Sequence, residues 1–169
     1  ILPTSASALQ LKVANIDEPS TVSATAATGT INFDITTQSV LYYTTNASGN
    51  FTINFRGSSG TTLGALMAVG DSISVSFLNT NGATPYYNSA VQVDGTGTGV
   101  TTRWQGGTAP TSGNASAVDV YNYVIIKTAA TPTYTVLASQ TKFSNTLLSG
   151  TASSSTRQTQ SYPMVLARW

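Results

Sequence analysis

The sequence predicts an all-β domain, a β-sandwich of jelly-roll type, with extended arms at both ends and at most one short helix. Three observations carry that expectation. Apolar and polar residues alternate along several short stretches, the period of half-buried strands. Glycine, asparagine and proline clusters interrupt these stretches about every 8 to 12 residues, the spacing of sandwiches and jelly rolls. Serine and threonine make up 50 of the 169 residues against seven basic and six acidic ones, so polarity comes from hydroxyls, as in many extracellular β proteins.

The length suits one domain, and a fold of this size buries roughly 70% of its unfolded surface. It therefore needs no disulfides, and the chain has no cysteine. Residues 1–29 read as an N-terminal arm with one strand at 9–16, residues 30–145 as the β-sandwich, and residues 146–169 as a C-terminal extended arm.

Within the sandwich segment, Ile31, Phe33 and Ile35 alternate with Asn32, Asp34 and Thr36. Val40, Leu41, Tyr42 and Tyr43 form a second strand. Phe51, Ile53 and Phe55 form a third after the turn-rich residues 46–50. Leu63, Leu66 and Met67 sit at i, i+3 and i+4 and mark the single helical candidate, with Gly70 as its stop.

Residues 72–78 alternate strictly, with Ile73, Val75 and Phe77 on one face. The Asn81-Gly82 pair that follows suits a tight hairpin turn, so a strand through Val91 and Val93 is expected to pair back on them. Residues 95–99 are a glycine-rich loop, and 101–105 a short strand. Residues 118–127 carry apolar side chains on both faces, which predicts a central strand. Pro132 breaks the chain before Tyr134, Val136 and Ala138 resume the alternation toward Phe143. Residues 149–161 form a polar tether, and residues 162–169 are apolar again and suited to docking on this domain or a neighbour. No internal repeat stands out.

Composition narrows the chemistry. Histidine and cysteine are both absent, which removes histidine-based triads and the usual zinc ligands, so neither a catalytic residue nor a metal or cofactor is expected. The few charges are scattered, with no basic patch for nucleic acid or an anionic membrane. Two of Asp34, Asp71, Asp94 and Asp119 brought together in space could serve a glycosidase, but Asp71 and Asp94 stand at strand edges beside Gly70 and Gly95 and read as turn residues, so catalysis is not the expectation.

Tyr42, Tyr43, Tyr86, Tyr87, Tyr121 and Tyr123 come in close pairs. Adjacent strand residues point to opposite faces, so each pair is expected to place at most one ring in the core. The other rings suit a subunit interface, and Tyr86, Tyr87, Tyr162 and Trp169 are the candidate interface residues. The segment containing Trp104, Gly106, Gly107 and Pro110 reads as a structural motif, with a core anchor followed by an unusual turn.

That segment, with Arg103-Trp104-Gln105-Gly106-Gly107-Thr108-Ala109-Pro110-Thr111 as its fullest run, also carries a resemblance. Together with Phe55-Arg56-Gly57-Ser58-Ser59-Gly60-Thr61-Thr62-Leu63, Thr84-Pro85-Tyr86-Tyr87-Asn88 and the stretch from Tyr134 to Phe143, it resembles a module of tailed-phage structural proteins, notably those of contractile-tailed phages of marine bacteria. The resemblance spans about residues 26–143. It implies a non-enzymatic virion component on the particle surface, such as a tail fibre, baseplate appendage or capsid decoration. Its implied partners are copies of itself, often as a homotrimer, and other virion proteins. The alternative is a receptor- or glycan-binding module that uses exposed aromatic rings and loop Asn or Thr groups.

Overall fold

The computed structural model describes residues 17–144. The strand expected at 9–16, and Tyr162 and Trp169 in the C-terminal arm, lie outside the described residues. The described chain is all-β: β1 (Ser20–Ala26), β2 (Gly29–Asp34), β3 (Val40–Thr45), β4 (Phe51–Arg56), β5 (Ser72–Thr80), β6 (Asn88–Val93), β7 (Val100–Trp104), β8 (Val118–Ala129) and β9 (Thr133–Phe143). One helical turn, α1 (Leu63–Leu66), occupies the position expected for the helix. β1 falls within the 1–29 segment.

The strands form a six-stranded sheet ordered β1-β3-β5-β8-β9-β7 and a three-stranded sheet ordered β2-β4-β6. From β1 to β6 the chain alternates between the two sheets, and each strand lies parallel to the one two positions earlier. This winds a coil. The antiparallel pairs are β5 with β8 and β8 with β9, while β7 joins β9 in parallel. β8 is central in the large sheet, as its two apolar faces predicted.

The hairpin expected at Asn81-Gly82 does not form, because β5 and β6 belong to different sheets. Gly82 has no positive φ. Instead the Asn81 amide donates to Ala117 O at 2.8 Å, and the Ser116 amide donates to Gly82 O at 2.8 Å. The local signal for a turn yields here to long-range pairing.

Pairing also exposes a repeat that the linear sequence reading did not find. Thr30-Ile31-Asn32-Phe33 lies in register on Thr52-Ile53-Asn54-Phe55, 22 positions later. Ile31, Phe33, Ile53 and Phe55 are buried, while the amide side chains share the other face, where Asn54 Nδ2 donates to Asn32 Oδ1 at 2.8 Å. Asp34 and Arg56 end the two strands as an ion pair.

The core lies between the sheets. Phe51 of the small sheet meets Phe77 and Tyr121 of the large one edge-on, with centroids 5.3 and 5.7 Å apart, and Phe55 meets Tyr123 at 5.0 Å. Such tilted aromatic contacts contribute about 0.5–1.5 kcal/mol each beyond area burial. The expectation of one core ring per tyrosine pair fails at Tyr121 and Tyr123. Two residues apart on β8, they share a face, and both are buried, with near-parallel rings 6.5 Å apart.

The short α1 is held at both ends by side chains, two of them distant in sequence. The Asp94 carboxylate accepts from the Leu63 and Gly64 amides at 2.7 and 3.0 Å, and Thr62 Oγ1 accepts from the Ala65 amide at 3.2 Å. At the other end the buried Lys127 of β8 donates to Gly64 O and Met67 O, both at 2.7 Å. A single turn has little stability of its own, so these contacts maintain it. Lys127→Met removes the donor and is expected to cost about 2 kcal/mol in urea denaturation, the range for hydrogen bonds from a charged group.

Candidate functional site

The most distinctive sequence segment lies at one end of the large sheet. Trp104 ends β7, and its half-buried ring packs edge-on against Tyr121 and Tyr123, at 6.5 and 6.4 Å. A 3-10 turn, Gln105–Gly107, follows at once, and Gly106 and Gly107 both take positive φ, at 76° and 79°. That conformation favours glycine, which accounts for the pair. Pro110 is half-buried beyond the turn, and both Trp104 and Pro110 line a small cleft with Thr108 and Gln140.

On its other side Trp104 borders a shallow cleft of about 380 Å³ on the outer face, mostly apolar, where Val124 and Leu137 meet Arg103, Gln105, Asn122 and Ser139. An apolar floor with hydrogen-bonding groups at its rim is suited to contact with another molecule.

A buried polar cluster anchors the loop that leaves this turn. Asp119, with no exposed surface, accepts through Oδ2 from Asn81 Nδ2 at 3.1 Å, the Asn114 amide at 3.0 Å and Gln140 Nε2 at 3.1 Å. Its Oδ1 has no hydrogen-bond partner. Burial raises the Asp119 pKa above the ordinary carboxylate value, and these three bonds and the positive charge of Lys142 oppose the rise. Gln140 also donates to Tyr121 Oη, and Asn79 donates to Asn81. A side chain at Gly113 would strike Asn81 and Asp119, so the loop closes tightly over the cluster.

Sequence reasoning missed this cluster. The signal was present: the period of two puts Asp119 on the same face of β8 as Tyr121, Tyr123 and Ile125, where a lone carboxylate must be hydrogen-bonded. Asp34, Asp71 and Asp94 also hold backbone or ion partners. Asp34 pairs with Arg56, Asp71 accepts from the Ala68 amide and Asp94 caps α1.

Of the candidate interface residues, Tyr86 and Tyr87 are half-buried in the segment entering β6. Their amides donate to Asn81 Oδ1 and Asn50 Oδ1, at 3.0 and 3.2 Å. They are not brought together with Trp104 in either of its clefts.

The outer face of the large sheet forms the broader surface. In register, Val22, Tyr42, Leu78 and Val120 form one apolar row across four strands. Val124 lies beside Leu137, and Val118 beside Phe143. Val22 is 66%, Leu137 45% and Phe143 54% exposed. Among the residues these strands place on this face, Arg103 is the charged one, at the β7 edge. Comparison with family models, curated proteins and solved structures finds no match to this chain.

Proposed function

We propose that this protein is a virion surface component, a tail fibre, baseplate appendage or capsid decoration, that acts by self-assembly and adhesion without covalent chemistry. The observation that supports this most is the outer face of the large sheet, where an apolar row and the well-exposed Val22, Leu137 and Phe143 lie among hydroxyls beside one cation, Arg103. Covering such a face strands almost no charge, so association gains hydrophobic burial at little desolvation cost. The structural use of Asp34, Asp71, Asp94 and Asp119 supports the non-enzymatic part, and the resemblance to tailed-phage structural modules supports the virion setting.

The two sheets with aromatic rings meeting between them support a sandwich reading of the fold. Jelly-roll wiring uses antiparallel neighbours, and the parallel coil from β1 to β6 favours a wound sandwich in its place.

The full chain is expected to sediment at micromolar concentration as a closed oligomer, with a trimer the form the resemblance implies. Leu137→Glu, at an exposed position, is expected to shift it toward monomer without lowering its unfolding midpoint. A wild-type chain that stays monomeric would sink the assembly reading. The cleft beside Trp104 supports a second reading, receptor or glycan recognition. It requires glycan-array binding that is lost in Arg103→Ala/Gln105→Ala.

A further inference from the structure

We infer that the pocket beside α1, where Tyr134 and Asp94 converge, is a binding site for one ring of a neutral saccharide. Both sheets build it: Asp94 directly follows β6 of the small sheet, Tyr134 lies in β9 of the large one, and Gly64 belongs to α1. Its volume is about 370 Å³, at the small end of the range for ligand pockets. It shares no residue with either cleft of Trp104 or with the outer apolar row.

The hydroxyl of Tyr134 carries the inference. Tyr134 is 3% exposed, and its Oη has no hydrogen-bond partner among the described residues. A buried hydroxyl left unpaired costs free energy, so one at the wall of a pocket marks where a partner is to be supplied. Gly64 keeps that spot open. A Cβ there would lie 3.2 Å from Tyr134 Oη, 3.6 Å from Asp94 Oδ2 and 3.5 Å from the Pro132 ring, so the three groups face one point.

Asp94 is held in place for this contact. It takes a left-handed conformation, φ 51°, which aspartate tolerates better than most residues. Its amide donates to Phe55 O at 2.9 Å, and its two carboxylate oxygens accept from the Leu63 and Gly64 amides. Each oxygen keeps a lone pair for a further donor.

These groups select the ligand. The lining carries one charge, the Asp94 carboxylate, and among the described residues no cation pairs with it. That charge repels an anion. An ammonium group suits Asp94 but offers no acceptor to Tyr134, whose proton is retained because burial, with the Asp94 charge, pushes the phenol above its ordinary pKa. A sugar hydroxyl both donates and accepts, so adjacent hydroxyls of one ring satisfy the carboxylate and the phenol together. Thr62 and Thr96 accept from backbone amides through Oγ1 and keep their own protons to donate at the rim, and Thr98 adds a third hydroxyl. Val93 and Pro132 supply the apolar wall that the C–H face of a pyranose requires.

The test is an NMR titration of the full isotope-labelled chain with free glucose, galactose, mannose and N-acetylglucosamine, and separately with butylamine and inorganic phosphate. Expected are saturable shift changes at residues 62–64, 94–98 and 132–134 with at least one sugar at millimolar concentration, and none with phosphate. Tyr134→Phe is expected to weaken that binding about three- to tenfold, the worth of one hydrogen bond, without lowering the unfolding midpoint, because the hydroxyl has no partner to lose. Thr98→Val, at an exposed position, is expected to weaken it several-fold. The inference is overturned by no saturable change with any of the sugars, by saturation with butylamine in their place, or by shift changes centred on residues 103–105 instead. Sugar binding that Tyr134→Phe and Thr98→Val both leave intact overturns it as well.

Discussion

Asp119→Ala is expected to destabilise the protein by about 3 kcal/mol, because it leaves Asn81, the Asn114 amide and Gln140 facing a gap in a buried site. Asp119→Asn is expected to cost far less. All three bonds reach Oδ2 while Oδ1 has no partner, so an amide can keep its oxygen at the first position and place its nitrogen at the second.

The two variants also separate in pH. Burial holds the Asp119 carboxyl above its ordinary value of about 3.9, so between that value and the folded one the native state binds more protons than the unfolded chain. The contribution of Asp119 to stability therefore falls as pH rises through this window and stays low above it. Denaturation midpoints across pH 3 to 8 are expected to show wild type gaining on Asp119→Asn as pH falls into the window. A difference between the two that is flat with pH would remove the burial argument.

Phe51→Ala is expected to cost about 3–5 kcal/mol, the largest single effect, because it opens a cavity between the sheets where Phe51 meets Phe77 and Tyr121. A domain of this kind has only about 5–15 kcal/mol in total, so urea denaturation should place the variant near the edge of folding. Phe51→Leu keeps most of the volume, and a loss of roughly 1–2 kcal/mol with an unchanged denaturant slope is its expected result. Equal losses for the two would mean that the ring, rather than the filled space, is what joins the layers.

The sequence by itself determined the all-β class, nearly every strand of the described region and the single helical turn. Alternation records which side of a strand meets water, and that is a local property. Strict alternation at Ile73, Val75 and Phe77 and at Tyr134, Val136 and Ala138 was enough to assign those faces, and apolar residues on both faces of β8 marked it as central. Gly106 and Gly107 were legible as an unusual turn because positive φ favours glycine.

Only the tertiary structure decided which strands are neighbours. Pairing is a contact between residues far apart in the chain, and periodicity says nothing of it, so Asn81-Gly82 looked like a hairpin and became a crossing between sheets. The same long-range assembly brings Asn81, Asn114, Asp119 and Gln140 to one point, and lays Thr30-Ile31-Asn32-Phe33 on Thr52-Ile53-Asn54-Phe55. Each of these residues was visible in the sequence, but their proximity depends on how the coil is wound. That winding comes from the summed burial of both sheet faces rather than from any one segment's preference.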